Sequence, residues 1–165
     1  MTTALIPGSF DPITLGHLNI IRRAANIFDK VVVCVMKNSA KNYLFDTEER
    51  IELVKRVVDR LPNVEVATTD LLLAEYAKRY EGAVIVKGLR AVSDFDYECQ
   101  IAMVNKKMNP ELETFFLTAS EKYTFLSSTV VKEMAAYGAD LSEFAPVEII
   151  DDIIQRTNDR RQSQS

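Results

Sequence analysis

Short runs of apolar and β-branched residues recur along the chain, and longer segments with helical spacing separate them. Five runs are interpreted as strands: TALIP from Thr3, KVVVCVM from Lys30, VEVAT from Val64, AVIVKGL from Ala83 and ETFFLTA from Glu113. Strands that alternate with helices are typical of βαβ units, and runs this uniformly apolar indicate parallel strands buried on both faces. The pattern predicts an α/β fold, a Rossmann-like open five-stranded parallel sheet with helices on both faces.

Four of the intervening segments carry apolar residues at the spacing of one helix face. Their stripes are Ile20, Ile21, Ala24, Ala25 and Phe28; then Ile51, Val54, Val58 and Leu61; then Leu73, Tyr76, Ala77 and Tyr80; then Tyr97, Ile101, Val104 and Met108. Asp46 and Glu49 have capping-box spacing before the second helix. From about residue 147 the segment VEIIDDIIQ predicts a C-terminal helix, and the polar end RTNDRRQSQS is expected to fray. We expect a single domain over residues 1–165.

Composition and charge narrow the classes of function. A net charge of -4 argues against a nucleic-acid-binding surface, which needs a broad cationic face. No apolar run approaches the roughly 20 residues that span a bilayer, and the N-terminus does not resemble a signal peptide. We therefore expect a cytoplasmic protein that binds neither nucleic acid nor membrane. Cys34 and Cys99 stand apart from each other, so we expect no metal site and no disulfide framework, and both are interpreted as small core residues.

An unusual segment follows each predicted strand: PGSFDPITLGH, KNSAK, TTDLLL, KGLR and SEKYTFLSST. In an open parallel sheet, ligands bind at the carboxyl ends of the strands, beside helix N-termini that favour anions. The cations near these segments are Lys37, Lys41, Lys87, Arg90, Lys122 and Lys132. Any single lysine there is best interpreted as solvated, but four or more at successive strand ends are not explained that way. The sequence therefore predicts a site for a polyanion.

The only histidine, His17, has two interpretations. It is in phase with Ile20 and Ile21, and so fits a partly buried, hydrogen-bonded core residue. The alternative is a phosphate-binding residue, which is favoured because Gly16 permits close backbone approach where Thr14, Gly16 and His17 open the first helix.

Three hydroxyl residues, Ser127, Ser128 and Thr129, precede the last helical segment before Gly138. An ordinary N-cap explains one of them, because hydroxyl residues are preferred there. A cap needs only one hydroxyl, so the others are candidates for binding phosphate.

Two of these segments carry signatures of the adenylyltransferase superfamily: TLGH matches T/HxGH, and LSSTVVK resembles ISSTxxR. Together with GSFDPIT, KGLRAVSDFDYE and PELETFFL, which occur in order, they make the chain from about Leu5 to Phe144 resemble the bacterial phosphopantetheine adenylyltransferase family. The resemblance implies transfer of the adenylyl group of ATP to 4'-phosphopantetheine, which gives dephospho-coenzyme A and pyrophosphate. It further implies Mg²⁺ held largely by phosphates and water, a homohexamer, and feedback binding of coenzyme A in the same cleft.

The resemblance also implies roles for individual residues. Catalysis is assigned to His17, Ser9 and Lys41, with His17 binding the phosphates and stabilising the transition state. ATP binding is assigned to Ser9, Phe10, His17, Gly88, Leu89, Arg90, Glu98, Tyr123, Thr124, Phe125, Leu126, Ser127, Ser128 and Thr129. Binding of phosphopantetheine is assigned to Ser9, Lys41, Leu73 and Lys87. Ser9 stands where the family also has Thr, and Lys87 and Lys132 stand where it often has Arg, so the charge is kept but the bidentate geometry of Arg is not.

The implied chemistry needs no protein base. The nucleophile is the acceptor's own phosphate, already largely dianionic at neutral pH because its second pKa is about 6. Catalysis then requires in-line placement against the α-phosphate and stabilisation of charge on the phosphate oxygens.

Three other interpretations were weighed. One is a related nucleotidyltransferase with another acceptor, such as nicotinamide mononucleotide or glycerol phosphate, against which KGLRAVSDFDYE argues. A non-catalytic nucleotide-binding module is disfavoured because His17 is present. A flavodoxin-like redox domain would need a flavin site, which nothing in the sequence specifies.

Overall fold

The computed structural model, which describes residues 1–38, 40 and 42–163, confirms the predicted sheet. Its strands are β1 (Thr3–Gly8), β2 (Lys30–Met36), β3 (Val64–Thr69), β4 (Ala83–Leu89) and β5 (Glu113–Thr118). All neighbours pair in parallel, in the order β3-β2-β1-β4-β5. The strand order therefore reverses between β1 and β4, and in open α/β sheets such a switch point opens a crevice at the carboxyl edge.

Helices cover both faces of this sheet, as predicted. They are α1 (Leu15–Ala25), α2 (Thr47–Val58), α3 (Leu73–Ala77), α4 (Val92–Met108), α5 (Ser128–Ala136) and α6 (Ile150–Ser163), with 3-10 turns at Glu121–Tyr123 and Val147–Ile149. Alternate residues of a strand point to opposite faces. Ala4 and Ile6 of β1 accordingly belong to a core with side chains of α1, α2, α5 and α6, whereas Leu5 belongs to a second core with α3.

The capping box before α2 is present. The Asp46 carboxylate accepts the Glu49 N–H at 2.8 Å, and the Glu49 carboxylate accepts the Asp46 N–H at 2.9 Å. Helices α2 and α3 end at Val58 and Ala77, before the last residues of the apolar stripes predicted for them. Leu61 and Tyr80 lie beyond the helix ends. Those two side chains still pack against the two cores.

Helix α4 differs from the others because none of its residues is buried. The predicted stripe of Tyr97, Ile101, Val104 and Met108 is exposed along its length. The helical spacing was therefore correct, but in the single chain the stripe does not contribute to the core.

The C-terminal end is ordered helix where fraying was expected, since α6 continues to Ser163. Its arginines explain the difference. Arg156 donates to the Leu44 carbonyl at 3.1 Å and pairs with Glu49, and Arg160 donates to the Tyr43 carbonyl. The polar side chains thus hold the helix against the segment before α2 rather than releasing it into solvent.

The two cysteines have different environments. Cys34 is fully buried in β2, as predicted for a core residue, and burial raises the pKa of its thiol to about 12. Cys99 is only half-buried on α4, so its interpretation as a core residue was wrong. Within the described residues, no helix has the length and apolar character needed to cross a membrane.

Candidate active site

A cleft of about 980 Å³ opens at the carboxyl edge of the sheet, around the switch point between β1 and β4. Loops after β1, β2 and β4 and the N-termini of α1 and α5 line it. Most of the residues that the sequence assigned to a site share this lining: Ser9, Phe10, His17, Lys87, Gly88, Arg90, Glu98, Tyr123, Leu126, Ser127, Ser128 and Thr129. Residues more than a hundred positions apart in the chain therefore meet in one cavity.

His17 is held in the cleft by a reciprocal cap at the start of α1. Thr14 is the N-cap, and its hydroxyl accepts the His17 N–H at 3.2 Å. In return the His17 Nδ1 accepts the Thr14 N–H at 3.0 Å. A backbone N–H can only donate, so the neutral ring carries its proton on Nε2. The imidazole therefore presents an N–H donor to the cleft.

The ring is also kept uncharged by its surroundings. Burial, together with the positive charges of Arg90 and Lys87, lowers the pKa of His17 from 6.5 to about 4. At neutral pH the free protein thus holds a neutral donor in this position. His17 is hydrogen-bonded as a core residue would be and it also lines the cleft, so its geometry is compatible with both interpretations.

The end of β1 is packed tightly behind this histidine. Phe10 has a positive φ of 49° and its buried ring meets the His17 ring edge-on at 5.1 Å. A Cβ on Gly8 would lie 3.0 Å from the Phe10 ring, closer than ordinary van der Waals contact. Glycine at position 8 is therefore needed for Phe10 to turn under the cleft.

Asp11 is a buried carboxylate that the sequence analysis did not assign. It accepts the Leu44 N–H at 2.8 Å and the Phe45 N–H at 2.9 Å, and it pairs with Lys132 at 3.2 Å. The contacts join the loop after β1 to the segment before α2 and to α5. Its place inside GSFDPIT, directly before a proline, was the signal that could have identified it.

On the β4 side of the cleft the charged residues are paired with one another. Lys87 pairs with Glu98 at 3.2 Å, and Arg90 pairs with Asp94 at 3.2 Å. Arg90 also donates to the Leu126 carbonyl at 3.1 Å, which ties the start of α4 to the loop before α5. The hydrogen bonds from Arg90 help to lower the pKa of Asp94, against the opposing effect of burial.

The three hydroxyl residues at the N-terminus of α5 make different contacts. Ser127 is the N-cap and accepts the Val130 N–H at 3.2 Å, while Ser128 donates to the Pro12 carbonyl at 2.8 Å. Thr129 is exposed in the cleft lining, and no hydrogen bond of its side chain is found within residues 1–38, 40 and 42–163. Ser127 accepts in the cap and keeps its own O–H, so Ser127 and Thr129 can each donate to a phosphate without rearrangement, whereas the O–H of Ser128 is already engaged.

Some assigned residues lie elsewhere. Leu73 begins α3 and packs against the second core, and the Leu89 carbonyl accepts the Ala119 N–H at 2.7 Å. Phe125 packs edge-on against Phe144 at 5.9 Å, and the side chain of Thr124 donates to a backbone carbonyl. None of these four assigned residues belongs to the described cleft lining.

Two of the predicted cations are not among the described residues of the lining. Lys41 falls outside the described residues. Lys122 lies over the Tyr123 ring at 4.8 Å rather than in the described lining of the cleft. Lys37, Lys87, Arg90 and Lys132 do line the cleft, so the polyanion site rests on these four.

The lining offers few groups for a resident metal ion. The carboxylates of Asp11, Asp94 and Glu98 are each engaged by a cation. No cluster of three or more His, Cys, Asp or Glu suited to a metal was found in the described part of the chain.

A neutral histidine donor, four cations and the first turns of two helices around one cleft suit a nucleotide's phosphates, and this fold and site define a nucleotidyltransferase. Residues 5–134 match the cytidylyltransferase-like family model. The chain is 58% identical to the phosphopantetheine adenylyltransferase of Caldanaerobacter subterraneus subsp. tengcongensis, over 88% of this chain and 91% of that protein. It is 50% identical to the phosphopantetheine adenylyltransferase of Finegoldia magna, over 96% of this chain and 98% of that protein. The chain belongs to the phosphopantetheine adenylyltransferase family.

A solved structure shares the fold at greater distance. It is a nicotinate-nucleotide adenylyltransferase candidate from Vibrio parahaemolyticus, with a TM-score of 0.69 over 94% of this chain and 95% of that chain, at 19% identity. The same architecture is thus found in a protein of much lower sequence identity.

Proposed function

We propose that this protein transfers the adenylyl group of ATP to 4'-phosphopantetheine, giving dephospho-coenzyme A and pyrophosphate. The observation that carries the proposal is family membership at 58% identity combined with a polyanion cleft that holds a neutral His17. In the reaction, a phosphate oxygen of phosphopantetheine attacks the α-phosphorus of ATP. The new O–P bond forms as the bond between the α-phosphorus and the bridging oxygen breaks, and pyrophosphate leaves with that electron pair.

The residues of the cleft have distinct proposed roles. His17 donates from Nε2 to the oxygens on which charge develops, because its Nδ1 is occupied by the Thr14 N–H. Ser9 and Phe10, at the end of β1, contact both substrates. Arg90 and the first turn of α5 bind ATP phosphates, since cations and free helix N–H groups favour anions. Mg²⁺, bound mainly through phosphates and water, would neutralise charge on ATP.

The acceptor is proposed to lie on the side of Lys87, with Lys41 and Leu73 assigned by resemblance. Lys87 lies in the cleft lining within pairing distance of Glu98, a residue assigned to ATP. The two ligand sites are therefore proposed to meet at this ion pair.

The decisive experiment incubates the protein with ATP, Mg²⁺ and 4'-phosphopantetheine and follows dephospho-coenzyme A by mass spectrometry. Nicotinamide mononucleotide, nicotinate mononucleotide and glycerol 3-phosphate serve as alternative acceptors in parallel reactions. Formation of product with phosphopantetheine, and with none of the other acceptors, supports the proposal. Turnover of another acceptor in its place would contradict it.

We also propose a homohexamer. The support is the exposed apolar surface of α4 and the adjoining strand, where Val92 is 79% exposed and Met103 is 68% exposed. Contiguous exposed apolar patches on a protein commonly mark sites of protein–protein interaction. Light scattering coupled to size exclusion would test the mass, and a monomer at micromolar concentration would contradict it.

Feedback by coenzyme A is proposed in the same cleft, because coenzyme A contains the whole of the product plus one further phosphate. Competition between coenzyme A and ATP in calorimetric titrations would test this, and simultaneous independent binding would contradict it. We propose that the protein acts in the cytoplasm, because its proposed reaction consumes ATP.

A further inference from the structure

Arg50 is an arginine in an unusual environment. It lies on α2 and is only 1% exposed, whereas arginine is rarely fully buried without partners. Its side chain is not part of the described cleft lining, but it lies directly behind two of the loops that form it.

The guanidinium joins the ends of the neighbouring strands β1 and β2. One nitrogen, Nη1, donates to the Ser9 carbonyl at 2.6 Å and to the Met36 carbonyl at 3.0 Å. Ser9 directly follows β1, and Met36 is the last residue of β2. The remaining nitrogens donate within α2 itself, Nε to the Asp46 carbonyl at 3.3 Å and Nη2 to the Thr47 hydroxyl at 3.1 Å.

Arg50 also supports the loop after β2. Its guanidinium carbon lies 4.0 Å from the centre of the Tyr43 ring, a stacking distance for a cation on an aromatic face. The Tyr43 hydroxyl in turn accepts the Asn38 N–H at 2.9 Å. One buried side chain thus contacts Met36 directly and Asn38 by way of Tyr43.

The contact with Ser9 has a consequence for the adjoining peptide. A trans peptide is planar, with its carbonyl and its N–H on opposite sides. The Ser9 carbonyl points away from the cleft to Arg50, so the Phe10 N–H points the other way, toward the cleft. A cation on the carbonyl also polarises the peptide and strengthens its N–H as a donor.

We infer that Arg50 is a positioning residue of the transfer site: it holds the Ser9–Phe10 peptide so that the Phe10 N–H faces the reacting phosphates, and it sets the distance between the loops after β1 and β2. The inference rests on the proposed function. Lysine cannot replace it, because lysine lacks the planar fork that reaches three carbonyls, a hydroxyl and an aromatic face together.

Arg50→Lys is the principal test, since it keeps the charge and removes the fork. We expect kcat per ATP-binding site to fall about tenfold or more, because small displacements of positioning groups are costly in rate. KM for phosphopantetheine should rise several-fold, while the affinity for ATP stays within about twofold. Calorimetric stoichiometry with ATP counts the competent sites, so a loss of folded protein is not mistaken for a loss of rate. Arg56→Lys, on the same helix and paired with Asp152, is the matched control.

Each outcome of these experiments either supports or overturns the inference. If Arg50→Lys is folded, binds ATP at full stoichiometry and keeps kcat and both KM values within twofold of wild type, the inference is overturned. If Arg50→Lys does not fold, Thr47→Val decides, because it removes one acceptor that orients the guanidinium without touching the cleft lining. A decrease of about threefold in kcat per site then supports the inference, and an unchanged kcat overturns it. Wild-type protein that is inactive with ATP and phosphopantetheine would overturn the proposed function along with it.

Discussion

The two walls of the cleft are built in different ways. The β1 wall, residues 8–17, is held by bonds to backbone groups: the Asp11 carboxylate accepts two backbone N–H groups, and the His17 ring accepts one. The β4 wall, residues 87–98, is held mainly by ion pairs between partly exposed side chains, Lys87 with Glu98 and Arg90 with Asp94, and by one hydrogen bond from the Arg90 N–H to Asp94 at 3.0 Å. Backbone donors are fixed by the fold, whereas exposed ion pairs exchange partners at little cost. The difference suggests that the β1 wall supports the chemical step and the β4 wall adjusts to the ligands.

The largest effect is expected from removing the donor of the β1 wall. His17→Ala should keep its fold and its ATP binding but lose on the order of 10²-fold or more in kcat, the usual effect of deleting one preorganised donor to developing charge. Steady-state kinetics at saturating substrates, with ATP binding measured by calorimetry, would check this. Turnover close to wild type would restore the interpretation of His17 as a core residue alone.

A matched pair of carboxylates tests the contrast in rigidity. Asp11→Ala leaves two buried backbone N–H groups and the partly exposed Lys132 without their acceptor, and leaving buried donors unsatisfied in this way costs about 3 kcal/mol in the free energy of unfolding. Asp94→Ala on the β4 wall should cost about 1 kcal/mol or less, because both its ion pair with Arg90 and its hydrogen bond from the Arg90 N–H are accessible to water. Urea denaturation of both variants measures the difference. Equal decreases in the free energy of unfolding of the two variants would contradict this difference between the two walls.

The pH dependence of kcat/KM tests the neutral state of His17. Because burial and the nearby cations lower its pKa to about 4, the ring stays uncharged in the free protein from about pH 5 upward. We therefore expect kcat/KM to decrease about tenfold per pH unit below about pH 6, because the acceptor phosphate is then protonated.

His17→Gln separates this account from one in which the histidine is a base. Glutamine keeps a hydrogen-bond donor but does not titrate, so the variant should be slower and yet retain the acidic limb. Profiles from about pH 5 to 9 with saturating Mg²⁺ make the comparison. A flat acidic side in His17→Gln, with chemistry rate-limiting, would contradict a mechanism in which the acceptor phosphate attacks unaided.

The smallest effect is expected on the β4 wall. Lys87→Ala should raise KM for phosphopantetheine several-fold and leave ATP affinity almost unchanged, and Lys41→Ala should act in the same direction. Kinetics with each substrate varied, together with calorimetric titration of ATP, would measure both. If only ATP affinity were lost, the assignment of the two halves of the cleft would be reversed.

Much of this architecture is predictable from local pattern. The strands follow from apolar runs, and the start of α2 follows from Asp46 and Glu49, because both signals depend on residues close in sequence. The convergence of His17 and Thr129 on one cleft also follows, since carboxyl ends of parallel strands share an edge.

Features that depend on distant partners are less predictable. Arg50 belongs to a charged run, DTEER, which normally marks a solvated helix face. Its burial depends on carbonyls contributed by β1 and β2, which no helical spacing reveals. The exposed stripe of α4 has the opposite cause, since spacing identifies an apolar face but not what covers it. The order of α6 likewise depends on carbonyls of Tyr43 and Leu44.

The pairing of the cleft cations affects how a polyanion approaches from a distance. Among the described residues of the lining, Lys37, Lys87, Arg90 and Lys132 each have a carboxylate partner, and the chain carries a net charge of -4. The field that reaches beyond a Debye length is therefore weak or repulsive, so long-range steering contributes little to the association rate. Ionic strength should then change the rate of ATP association only slightly, and selection among anions begins at contact, when phosphates replace carboxylates around the cations.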